Sequence, residues 1–234
     1  MSRDEVTSVF KDQWNAYQWA VDNNLMGHHE LLAAAQLFIQ DRYKNSSVTM
    51  VDFGCGNSLL IPEMTRSVQL EYYFGIDLAD NALAMASELL ERSHIRSQQF
   101  CRDLFLGIPE IPSTPNLIYS AFAVHHGNEQ KKRQFFSKLY QQAPDQCAFI
   151  LTDIMIPPDL KFDEYTQGLE QYFIKQGIRS DWLSPIMAHI RQYDYPETAE
   201  TWLDITRSSG WKVLHNQTLG PHKVYPATFM LLER

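Results

Sequence analysis

Between residues 48 and 153 the chain alternates short apolar runs with longer helical stretches, and this rhythm restricts the fold more than any other feature. VTMVDF (48–53), EYYFGID (71–77), SQQFC (97–101), NLIYS (116–120) and QCAFILTD (146–153) have the length and the aromatic and β-branched content of strands. The stretches 58–67, 79–93 and 128–142 between them carry helical spacing. Consecutive parallel strands need a crossover, so the pattern implies a parallel sheet with helices on both faces. Two later runs, WKVLHNQTL (211–219) and YPATFMLLE (225–233), follow one another across a loop with Gly220 and Pro221, which makes them antiparallel neighbours. The expected fold class is α/β: a doubly wound, seven-stranded, mostly parallel sheet with an antiparallel last strand.

Two segments stand outside this rhythm. Phe10, Trp14, Tyr17 and Val21 form one helical stripe, and Leu31, Leu32, Ala35, Phe38 and Ile39 form a second, so residues 1–45 read as an N-terminal helical cap. Residues 155–195 are punctuated by Pro157, Pro158 and Pro185, with helical spacing through Phe162, Tyr165, Leu169, Tyr172 and Phe173 and again from Trp182 to Ile190. They read as an inserted helical lid between a core over 46–154 and its completion over 196–234, where a helix from Glu197 to Ser208 ends before Gly210.

A net charge of −8 argues against a surface that wraps nucleic acid. No run approaches the roughly 18 apolar residues of a membrane span, and MSRDEVTSVF lacks the order of a signal peptide, so a cytoplasmic protein with no membrane partner is expected. The three cysteines are odd in number and far apart, which indicates neither a disulfide framework nor a zinc site.

The chemistry is concentrated in VDFGCGNSLL (51–60), where an apolar strand ends in an acid and two glycines. In open parallel sheets ligands bind beyond the carboxyl ends of the strands, and glycines there let the backbone pass close under them. A dinucleotide turn asks for G-x-G-x-x-G, but Leu59 stands where the third glycine belongs. Asp52, Gly54 and Gly56 meet the first three places of acid-x-G-x-G-x-G, with Ser58 in the last. An acid before the turn repels a pyrophosphate and suits a ligand bearing an ammonium and a sulfonium.

From about Val48 onward the chain resembles the class I methyltransferases that use S-adenosylmethionine (SAM). The resemblance implies a Rossmann-like fold, SAM as cofactor and a small-molecule acceptor, with the protein a monomer or homodimer. It assigns Asp77, at the end of GID, to the ribose hydroxyls, and Asp103 with Leu104, in CRDLF, to the adenine. It places the end of strand four, YSAFAVHHG, along the cofactor. The expected cofactor residues are thus Asp52, Gly54, Cys55, Gly56, Asp77, Leu78, Asp103, Leu104, Ser120 and Tyr17. Ser58 departs from the family glycine, and a serine there is expected to cap the next helix. The family's N-P-P-Y or D-P-P-Y after strand four, which holds a planar amide or base nitrogen, is missing, which disfavours DNA bases and protein glutamine as acceptors.

Methyl transfer needs an aligned acceptor, exclusion of water and, for some acceptors, a base. His125 and His126 are candidate catalytic residues, as a base or as cover for the adenine. Asp153 is another, as base, as anchor for a substrate amine, or as a turn cap. His28, Tyr165, Tyr172, Trp182 and His189 are candidate substrate residues, although an aromatic lid also suits a packing seam or a dimer contact. No metal is expected, because the adjacent His28 and His29 point about 100° apart on a helix with no acids at ligand spacing. Two other readings remain: SAM used for intramolecular displacement with release of methylthioadenosine, and SAM bound without catalysis in an interaction protein.

Overall fold

In the computed structural model, residues 17–219 and 225–234 are described; Phe10 and Trp14 of the first stripe, and the loop residues Gly220 and Pro221, lie outside them. The described residues form a seven-stranded sheet. In chain order its strands are β1 (Ser47–Phe53), β2 (Gln69–Asp77), β3 (Ser97–Cys101), β4 (Leu117–Ala121), β5 (Ala148–Ile154), β6 (Lys212–Leu219) and β7 (Ala227–Glu233). Their spatial order is β3-β2-β1-β4-β5-β7-β6. β1 to β5 are mutually parallel, and β7 runs antiparallel to both β5 and β6. The order reverses between β1 and β4, which is where ligands bind in such sheets.

Strand residues alternate between two cores, as a pleat with period two demands. Met50, Tyr73, Leu117 and Ile150 face α2 (His28–Tyr43) and α4 (Asp80–Arg92), meeting Leu31, Ala35, Ile39, Leu83 and Leu90. Val51, Phe74, Ile118 and Phe149 face the opposite side and meet Phe135, Phe136 and Leu139 of α5 (Glu129–Gln142) and Trp202 and Ile205 of α8 (Ala199–Ser208). Each large apolar side chain so buried contributes about 1.5–3 kcal/mol. Side-chain caps fix where the second pair of helices starts: Asn128 accepts from the Lys131 amide, and Thr198 from the Thr201 amide.

The helix expected over 58–67 is only α3 (Ile61–Met64). Ser58 adopts φ 56°, which no helix accommodates, and it caps nothing; its hydroxyl bonds to the Tyr73 hydroxyl at 2.8 Å. Thr65 Oγ1 then donates to the Ile61 carbonyl, and the chain turns at once into β2.

A third core joins the N-terminal helix (α1, helical over 17–22 of the described residues) to the segment after β5. Ala20, Leu25 and Met26 pack with Leu169, Tyr172 and Phe173 of α6 (Phe162–Lys175) and Met187 and Ile190 of α7 (Ser180–Tyr193). Pro185, expected to punctuate, lies inside α7, in its second turn. The returning chain is fastened to the sheet: the Tyr195 amide donates to the His125 carbonyl at 2.8 Å. Fully buried Lys132 on α5 donates to the Tyr195 carbonyl and pairs with Glu197 at 2.6 Å.

Candidate active site

Four clefts meet above the carboxyl ends of β1, β2 and β4. In the turn after β1, Gly54 (φ 74°) passes so close to the segment after β4 that a Cβ on it would lie 2.2 Å from the Ala123 Cβ. Gly56 (φ 51°) faces open space, with no atom within 4 Å of where a Cβ would stand. A ligand therefore has an unobstructed backbone surface at the point where the acid-x-G-x-G pattern asked for one.

Asp77, at the end of β2, ties this turn down. Its Oδ2 accepts from the Gly56 amide at 2.8 Å and its Oδ1 from the Ala79 amide at 2.9 Å. It lines one cleft with Leu78, Leu104, Phe122, Ala123 and His126. Asp103 lines the adjoining cleft with Leu78, Leu104 and His126, and one of its oxygens accepts from the Phe105 amide at 3.0 Å.

Asp52 stands in a recess at the other end, with Tyr17, His28, Cys55 and Tyr119. It is buried and accepts from the Tyr73 hydroxyl at 2.7 Å. Burial pushes its carboxyl up to about 7, offset by the Tyr73 hydrogen bond and reinforced by Asp77. The sign follows directly. The fold retains a proton that the unfolded chain releases, so Asp52 subtracts stability as pH rises from the ordinary carboxylate range through about 7. A cation bound beside it reverses this preference. Calorimetry with SAM in buffers of differing ionisation enthalpy is expected to show release approaching one proton at about pH 6 and little at about pH 8. Asp52→Asn should abolish the release, and a pH-independent proton count would show that no cation sits there.

His28 opens α2 and is buried, with neither ring nitrogen hydrogen-bonded among the described residues. Its ring lies 4.7 Å from that of Phe122 and 6.2 Å from that of Tyr17, and burial, then His29, lowers its pKa to about 4. Phe122 had no role in the sequence reading. It lines the Asp52 recess, the Asp77 cleft and the cavity described next, and it holds φ 52°, a conformation unusual for an aromatic residue and concentrated at functional sites.

The fourth space is a largely apolar cavity of 130 Å³ between α1, α7 and the turn after β4. Its polar wall is His125, His126, His189 and Asp194. His125 is fixed by Asp153 of β5: Nδ1 lies 2.6 Å from Oδ1, and the His125 amide donates to Oδ2 at 3.0 Å. Asp153 Oδ1 also accepts from the Ile154 amide at 2.8 Å. Asp194, absent from the expected site, follows α7 and places Oδ1 3.7 Å from His125 Nε2, 3.4 Å from His126 Nδ1 and 3.7 Å from His189 Nε2. Burial lowers His189 to about 4. Burial also works against protonation of His125, but Asp153 and Asp194 outweigh it and raise its pKa. For Asp194, burial works against the charge and the three histidines overcome it, holding the carboxyl below its usual range. The sequence signal was faint: an acid at the negative end of a helix dipole needs a local cation or proton donor.

Four expected site residues face elsewhere. Ser120 is fully buried and donates to the Phe53 carbonyl at 2.8 Å, because the pleat turns Tyr119 and Ala121 toward the recess and Ser120 away from it. Tyr165 and Tyr172 are core residues of the third cluster and line none of the four spaces; the Tyr172 hydroxyl donates to the Leu25 carbonyl at 3.2 Å. Trp182 packs against Trp19 with ring centroids 6.4 Å apart, under the Arg179 guanidinium. The aromatic lid is thus mainly a packing seam, and of its candidate residues only His189 reaches the cavity.

Residues 50–143 match the model of the family described as a methyltransferase domain. Among solved structures, magnesium protoporphyrin IX methyltransferase (ChlM) from Synechocystis PCC 6803, with bound SAH, superposes with a TM-score of 0.69 at 13% identity over 99% of both chains. The putative methyltransferase in complex with the Trm112 activator of Haloferax volcanii gives 0.65 at 11% identity, over 97% of this chain and 96% of that one. The cyclopropane synthase MmaA2 from Mycobacterium tuberculosis gives 0.59 at 14% identity, over 80% and 78%. The sequence has no match among curated proteins. The strand order and the glycine turn are those of the class I methyltransferase fold. The chain carries a methyltransferase domain over residues 50–143, which supports an enzyme with SAM as its methyl donor. No helix among the described residues is long and apolar enough to cross a membrane.

Proposed function

We propose that the protein transfers a methyl group from SAM to an oxygen or nitrogen of a small-molecule metabolite held in the cavity between α1, α7 and the turn after β4. The observation that carries this reading is the position of His126, which lines the Asp77 cleft and the cavity at once. A methyl donor in the first space and an acceptor in the second would meet beside it.

The residues present suit the cofactor. Gly54 and Gly56 give it room, Asp52 faces its ammonium end, Asp77 has the acceptor oxygens for a ribose diol, and Leu78, Asp103 and Leu104 border the adenine end. SAM, when bound, supplies an electrophilic methyl carbon on a sulfonium. Tyr17 and Phe122 line both the recess and the cavity, with His28 packed on Phe122 from the recess side. His125, oriented by Asp153, and His126 handle the acceptor and its proton, with Asp153 as a positioning residue. The cavity's small volume and mostly apolar lining favour a metabolite over a protein surface. The buried thiols Cys55 and Cys147, neither of them in a disulfide, agree with a cytoplasmic enzyme.

The test is incubation with SAM and a panel of phenols, carboxylic acids and amines, followed by mass spectrometry. S-adenosylhomocysteine formed together with a methylated acceptor is expected, with turnover lowered about 10²-fold or more in His125→Ala. Methylthioadenosine formed without any acceptor would replace this reading with intramolecular displacement. Tight SAM binding with no product would replace it with a non-catalytic role.

A further inference from the structure

We propose that His125 Nε2, His126 Nδ1 and Asp194 Oδ1 form a binding site for a divalent transition-metal ion at the polar wall of the cavity. One ligand atom from each of the three residues lies within 4.8 Å of the other two, on a buried, a half-buried and a buried residue. The two contacts from Asp194 Oδ1, at 3.7 and 3.4 Å, exceed the roughly 2.7–3.2 Å of a hydrogen bond. They approach the edge of a tetrahedron built on metal bonds of about 2.0–2.1 Å, which is about 3.3–3.4 Å.

Two independent observations point the same way. Asp194 is more than nine-tenths buried, and its Oδ1 has no hydrogen bond of ordinary length, a costly state for a carboxylate unless a cation completes it. His125 carries the outer partner typical of a metal-binding imidazole: Asp153 engages Nδ1 at 2.6 Å, which fixes the ring and directs Nε2 toward Asp194. His125 and His126 converge because they sit on a tight 3-10 turn (Val124–His126) with ring centroids 4.1 Å apart. The expectation of no metal rested on the spacing of the three cysteines and on His28 and His29, and the histidines that gather are others.

Two imidazoles and one carboxylate leave positions open, as in catalytic zinc and non-haem iron(II) sites. Here the open side gives onto the cavity, with His189 beside it. Building on the methyltransferase reading, the acceptor is then a molecule that presents an oxygen to the ion. An ion held there would lower the pKa of that hydroxyl so that its proton passes to water, with His125 and His126 serving as ligands in place of the proton handling assigned to them above.

The experiment uses the full-length protein, stripped with a chelator and titrated with Zn²⁺ by calorimetry and with Co²⁺ by visible absorption. One ion per chain is expected, with cobalt bands of a four- or five-coordinate site, weakened about 100-fold or more in Asp194→Ala and in His126→Ala. Asp153→Asn should weaken binding about 10–100-fold. His126→Ala changes a half-buried residue and serves if Asp194→Ala does not fold. Absence of saturable binding, or binding that both ligand variants leave unchanged, would overturn the site. Methyl transfer that proceeds at full rate in the stripped protein would overturn its role while leaving the methyltransferase reading intact. Stoichiometric metal binding without methyl transfer would support the site and fail that reading.

Discussion

Asp77→Ala is expected to weaken binding of both SAM and S-adenosylhomocysteine by about 10²–10⁴-fold. A carboxylate accepting from two ribose hydroxyls makes two charge-assisted hydrogen bonds of about 1.5–3 kcal/mol each, and every 1.4 kcal/mol is tenfold in affinity. The side chain also holds the Gly56 and Ala79 amides, so its loss loosens the glycine turn on which the ligand would lie. Asp77→Asn separates the two effects, since it keeps a carbonyl oxygen for one amide and removes the charge. Calorimetry on both variants checks the prediction, with thermal unfolding to confirm that they fold. Affinity unchanged in Asp77→Ala would place the ribose elsewhere.

The second large effect falls on stability. Asp153 is fully buried at the end of β5 and accepts from the His125 amide, the His125 ring and the Ile154 amide. Asp153→Ala leaves three donors facing a space too enclosed for easy hydration, at about 1–3 kcal/mol each. The expected loss is about 3–9 kcal/mol, a large share of the 5–15 kcal/mol of a typical domain, read as a lowered midpoint in urea unfolding. Asp153→Asn, which retains an acceptor oxygen, should lose less. A midpoint unchanged in Asp153→Ala would mean that water or a shifted backbone replaces all three bonds.

Much of the fold is legible in the sequence because its causes are local. The run VTMVDF, buried on both faces, appears as β1 nearly residue for residue, and SQQFC coincides with β3. The antiparallel pair at the end follows from two strands without a crossover between them. Helix boundaries near Ser58 were not legible, because φ 56° there is stabilised by a hydrogen bond to Tyr73, a residue of another strand. Ser120 was misplaced for a related reason: proximity to the motif says that a strand end is near the ligand, and only the pleat decides which side chains face it.

By itself, the sequence determined the doubly wound sheet, the glycine turn and the acids Asp52, Asp77 and Asp103 that stand around it. Periodicity and turn chemistry act over a few residues, and the placing of ligands at strand ends is a rule of the topology. Only the tertiary structure decided that Asp194 meets His125, His126 and His189. Those residues are brought together by the return of α7 to the sheet, fastened where the Tyr195 amide and Lys132 reach across. No local pattern encodes that approach, because it depends on how the third core packs and where a buried lysine finds its partners.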